Sequence, residues 1–109
     1  MYFDNCRIVK LNMDTNRVVK AMKALSNKNR FEIFMEIYRA NRQTTYEDEE
    51  CFIYEFMMKK LKIGAPTMSH HLKELTNADL IVTEKRGKNI IARINEETVK
   101  ELGKLLKME

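Results

Sequence analysis

The chain has no tryptophan, a single proline, three glycines and two cysteines in 109 residues. With so few breakers there is no linker and no low-complexity stretch, and no internal repeat. Residues 14–109 are therefore expected to fold as one domain behind an N-terminal arm of residues 1–13. Cys6 and Cys51 are too few and too far apart for a disulfide framework and read first as two reduced thiols. No run approaches the roughly 18 apolar residues of a membrane span, and no apolar signal core follows a basic start; the expectation is a cytoplasmic protein without a membrane partner. Gly-rich phosphate loops, Asp-rich cation motifs and Cys/His clusters are all missing, and no nucleophile, base and orienting group can be assembled. An enzyme is not expected, nor a metal or a cofactor.

What is present is ordinary globular composition, 44% hydrophobic and 33% charged, with a net charge of +4. Its distribution matters more than its sum. Residues 44–58 hold five acidic residues and no basic one, whereas residues 59–93 hold eight basic against three acidic. A basic block of this kind is what phosphate neutralisation requires.

Apolar spacing predicts a string of short amphipathic helices. Asp14 or Thr15 caps a first helix running to about Leu25, with Val18, Met22 and Leu25 on one face; Ser26 or Asn27 caps a second, from Lys28 to about Ala40, on Phe31, Phe34, Met35 and Tyr38. Thr44 with Glu47 fits a capping box, and a third helix carries Phe52, Ile53, Phe56, Met57 and Leu61. Gly64 breaks the pattern. Pro66, tolerated only in a first turn, starts a fourth helix whose buried stripe is Met68, Leu72 and Leu75, leaving Thr67, Ser69, His70, Lys73 and Glu74 outward. The β-branched runs Leu80–Thr83 and Ile90–Ile94, separated by Glu84, Lys85, Arg86, Gly87, Lys88 and Asn89, predict a hairpin with a basic tip. A last helix from about Asn95 bears Val99, Leu102, Leu105 and Leu106 on a stripe that so small a fold has little interior to cover, which points to a partner surface. Residues 1–13 fit a short strand or an arm equally well.

Two helices joined by a tight turn, the second polar outside and followed by a basic hairpin, are the layout of a winged helix-turn-helix: mainly α, five or so helices, a small β-hairpin wing. The major groove of double-stranded DNA admits one helix, so Thr67, Ser69 and His70 are the expected base readers. Lys59, Lys60, Lys73, Lys85, Arg86 and Lys88 are expected at phosphates, which fix register and salt dependence. The competing reading is a winged-helix module that docks an acidic protein on the same face.

The sequence also resembles the ArsR-type winged-helix regulators from about Met22 to Leu106. The resemblance lies in Ala24-Leu25-Ser26 with Arg30, in the run from Pro66 to Leu75 with its Ser69-His70-His71-Leu72 centre, in Ala78-Asp79-Leu80-Ile81, and in Arg86-Gly87-Lys88 leading to Ala92-Arg93-Ile94. It implies a homodimeric repressor on a DNA operator, its first and last helices forming the interface, here Val18, Met22, Val99, Leu102, Leu105 and Leu106. Three departures stand out. Ala65 replaces a frequent Gln before the proline. The Cys-x-Cys pair of the arsenic and cadmium sensors falls on Ile53 and Glu55, which excludes thiolate ligation there. The last segment, 95–109, has neither His nor Asp for the other familiar metal site.

Other features have plainer readings. His70 and His71 point about 100° apart on a helix and cannot chelate as an i, i+4 pair would, so His71, nearer the buried stripe, reads as a satisfied structural histidine. The run Glu47, Asp48, Glu49, Glu50 reads as a solvated helix start rather than a cation site. Eight methionines read as core filler. A thiol redox switch using Cys6 and Cys51 is the sharper alternative to inert thiols.

Overall fold

Asp14 begins the first helix because its carboxylate meets an orphan donor. Asp14 Oδ1 accepts from the backbone N–H of Arg17 at 2.8 Å, and α1 (Thr15–Leu25) follows. The computed structural model describes residues 14–43, 53–87 and 89–107; the arm 1–13, the segment with the proposed capping box and acidic run, and both cysteines lie outside them. At the next corner Asn27 Oδ1 accepts from Arg30 N at 3.0 Å and opens α2 (Lys28–Gln43), which extends past the expected end at Ala40. The buried positions of α1 are Ala21 and Ala24, small enough for α2 to approach closely, while Val18 and Leu25 pack at the edge of the core and Met22 stays 42% exposed.

The central helix is α2, and of its expected stripe Phe34 is buried and Met35 and Tyr38 pack against the core, while Phe31 does not. Ile33 and Ile37 are fully buried with Phe34 beside them, whereas Phe31 is 45% exposed. Helix α3 (Ile53–Leu61) likewise buries Met57 and turns Phe56 outward at 54% exposure. It closes with Lys62 in the left-handed region (φ 57°), the Ile63 N–H returning to Met58 O at 3.1 Å. Gly64, which the sequence offered as the breaker, has an ordinary extended backbone (φ −87°, ψ 173°) and serves as N-cap of α4 (Ala65–Asn77), with Pro66 in the first turn.

Helix α4 buries Met68, Leu72 and Leu75, as its periodicity predicted, and closes as α3 does. Asp79 takes φ 60°, Asp79 N donates to Thr76 O and Leu80 N to Leu75 O. The chain then enters an antiparallel hairpin, β1 (Ile81–Arg86) and β2 (Asn89–Ile94), in the register Ile81 opposite Ile94 through Arg86 opposite Asn89. Two of the basic residues expected in a long tip therefore belong to a strand: Lys85 and Arg86 are paired, as is the acidic Glu84, and the strands end at Arg86 and resume at Asn89. Gly87 has φ 60°, as the first central residue of either favoured hairpin turn demands. Ile81, Ala92 and Ile94 press one face of the ribbon into the core. Asn95 N then donates to Leu80 O, and Asn95 Oδ1 caps α5 (Glu96–Leu106) through Thr98 N. Among the described residues, five helices and a two-stranded wing make up the predicted architecture, and one core, centred on α2, joins them.

Candidate nucleic-acid interface

The outer side of α4 is built by default from what its inner side must bury. With Met68, Leu72 and Leu75 turned inward at helical spacing, Thr67, Ser69, His70 and Lys73 are left exposed together, as predicted, while Glu74 is half-buried. The side chains are short near the N-terminus and longer toward Lys73, and Gly64 contributes no side-chain cap in front of them. His71, one step round the helix, is 5% exposed and its Nδ1 accepts from Arg30 Nε at 3.2 Å, so the structural reading of this residue holds. Burial first, then the Arg30 guanidinium, then His70 hold its imidazole below the usual 6.5.

Between α4 and the wing lies an open recess of about 270 Å³, lined by Ser69, Leu72, Lys73, Thr76, Asn77 and Thr83. Among the described residues no acidic side chain lines it. Thr76 is anchored there, its hydroxyl donating to Leu72 O at 2.7 Å. Asn77 and Thr83 escaped the sequence reading, since neither stands in a basic cluster; only the pairing of β1 beside the end of α4 brings Thr83 to Lys73. On the wing, Lys85 is exposed opposite Ile90. Lys88 and the Arg86 side chain are outside the description.

The remaining predicted cations separate. Lys59 and Lys60 are both exposed on α3, but Lys60 Nζ lies 3.6 Å from Glu36 Oε2 and 6.0 Å above the Phe56 ring, so it is engaged at the α2–α3 seam. Arg17, on α1, instead reaches the left-handed turn after α4, 3.6 Å from Asp79 Oδ2. Of the residues assigned to a subunit interface, Leu106 is 76% exposed and Met22 largely open, Val18, Val99 and Leu105 are half-buried, and Leu102 is already in this chain's own core at 8% exposure. Val19, exposed beside Met22, belongs with the open set and was missed because it falls outside the 3–4–7 spacing. Among the described residues, no three His, Cys, Asp or Glu side chains gather as a metal site would, and no helix is long and apolar enough to cross a membrane.

No known family pattern and no curated protein matches the sequence. Solved structures do. A crystal structure of an ArsR family transcriptional regulator superposes with a TM-score of 0.64 at 18% identity, covering 86% of this chain and 87% of that one. A possible transcriptional regulatory protein from Mycobacterium bovis gives 0.59 at 23% identity, over 84% and 88% of the two chains. HlyU from Vibrio cholerae N16961 gives 0.55 at 18% identity, over 89% of this chain and all of that one. The fold of this chain is thus the winged helix-turn-helix of the ArsR type.

Proposed function

We propose that the chain is a double-stranded-DNA-binding transcriptional regulator, acting as a homodimeric repressor. The observation that carries this reading is the exposed row Thr67, Ser69, His70 and Lys73 on a helix fully anchored behind, beside a wing and an acid-free recess. In the major groove Thr67, Ser69 and His70 read base edges. Lys73 and Lys85, with Arg86, Lys88 and Lys59, neutralise phosphates, and the recess seats the sugar-phosphate backbone between helix and wing. Val18, Val19 and Met22 of α1 with Leu105 and Leu106 of α5 form the subunit interface. Neither usual metal position carries ligands, so release from DNA follows another signal.

Titration against duplexes selected from a random-sequence pool tests the reading. The expected result is saturable binding to a near-palindromic site, its half-sites about 10 bp apart or a multiple of that, with a steep loss of affinity as salt rises. Binding no tighter than to unselected duplex would favour an acidic protein partner instead.

A further inference from the structure

Arg30 joins three helices at one point, and we propose that its clasp on His71 positions α4 for DNA and makes the grip acid-sensitive. The inference rests on the DNA-binding reading above. Arg30 sits in the first turn of α2; its Nη1 donates to Ala24 O near the end of α1 at 3.3 Å, and its Nε donates to His71 Nδ1 in the middle of α4 at 3.2 Å. The partners of the second bond are 41 residues apart, so only the folded chain contains it.

A guanidinium has donors and no acceptor, so Nδ1 of His71 must be the unprotonated nitrogen, with the ring proton on Nε2. The groups acting on His71 are Arg30 from α2 and His70 from its own helix, whose ring centroid is 6.0 Å away; α1 offers the uncharged Ala24 carbonyl. Among the described residues no carboxylate pairs with either Arg30 or His71. All three influences on the ring, burial foremost, favour its neutral form.

Protonation reverses the contact. A second N–H then faces the Arg30 N–H, and two positive charges meet in a largely buried site. To separate them α4 must move off α2, and Thr67, Ser69 and His70 move with it. Because the folded value lies below the unfolded one, the stability contributed by neutral His71 is complete above about pH 6.5 and is lost as pH falls through the folded value. His70 is a second imidazole beside it, exposed on the outer side of α4, and is removed from the test.

The test uses a His70→Gln background, which leaves His71 as the one histidine of the chain, with a duplex selected at about pH 8 as the probe. Its affinity is expected to fall about tenfold or more between about pH 8 and pH 5.5. Adding His71→Asn, whose Oδ1 accepts from Arg30 without titrating, is expected to flatten most of that profile. A profile already flat with His71 present, or one unchanged by the substitution, overturns the proposal. Failure to select any duplex at pH 8 overturns the DNA-binding reading itself, and the clasp is then judged by NMR of the unaltered protein. There the His71 ring should titrate below pH 6.5, with the Arg30 Nε–H and the Met68–Leu75 amides shifting at the same midpoint. Titration of His71 that leaves the Arg30 signal in place contradicts the clasp.

Discussion

Helices α4 and α5 are both short and amphipathic, yet they leave opposite surpluses. In α4 every large apolar side chain is satisfied within the chain, because Met68, Leu72 and Leu75 meet α2 and the start of the wing. In α5 the same kind of stripe is shared out: Leu102 is in the core, Val99 packs at its edge, Leu105 is half-buried and Leu106 protrudes. What α4 offers a partner is therefore hydroxyl, imidazole and ammonium, which suit a hydrated, anionic groove. What α5 offers, together with Val19 and Met22 of α1, is hydrocarbon, which suits another protein surface. A single chain thus presents two exposed surfaces of different chemistry.

Substitutions can break this contrast or sharpen it. The largest effect is expected at the anchor of α4: Leu75→Ala should cost about 3 kcal/mol of stability in denaturant unfolding, since it opens a cavity in a fully buried site. A cost well under 1 kcal/mol would mean that α4 is less firmly seated than its burial implies. Next, the pair Met22→Lys and Leu106→Lys should weaken self-association about tenfold or more by sedimentation while leaving the isolated fold within about 0.5 kcal/mol, because both positions are exposed in one chain. An unchanged dimer would place the interface elsewhere. Lys73→Ala should lower DNA affinity to a similar extent on every duplex and reduce the logarithmic salt slope by about one unit; a change in sequence preference instead would make Lys73 a base reader. The smallest effect belongs to the turn before α4. Lys62→Gly should stabilise the protein by up to about 1 kcal/mol by relieving a left-handed lysine, read from its thermal midpoint.

Caps and breakers made much of this fold legible before any coordinates. The pairs Asp14 or Thr15 and Ser26 or Asn27 announce α1 and α2, with Asp14 and Asn27 proving to be the caps, Pro66 announces α4, and the order of Thr67, Met68, Ser69 and His70 separates its exposed face from the core. The face of α2 was legible only in part: Phe34, Met35 and Tyr38 do face the core, but Phe31, Ile33, Phe34, Met35, Ile37 and Tyr38 make most of its circumference apolar, so Ile33 and Ile37 were passed over and Phe31 was wrongly included. Which of them turn inward is decided by the small Ala21 and Ala24 opposite, a tertiary matter. The extent of the wing was misjudged for a related reason. Charged residues are poor strand formers in general, yet Glu84 and Lys85 lie toward the far end of a two-stranded ribbon where both are exposed, so their charges stay in water and cost it little. The left-handed residue of the turn proved to be Lys62 rather than a glycine, since hydrogen bonding back to Met58 fixes the turn regardless of residue type. The clasp between Arg30 and His71 was beyond reach for another reason: both residues stood out in the sequence, but nothing local says that they touch.

Gly64 and Pro66 open α4 and the left-handed Asp79 closes the turn behind it, so both ends of the helix are set outside its outward side chains. Its exposed positions are consequently free to change one by one without altering the frame that holds them. Helix α4 therefore behaves as an exchangeable cassette. On the DNA-binding reading proposed above, a handful of outward substitutions would re-target the molecule while the packing of α4 against α2 is inherited intact.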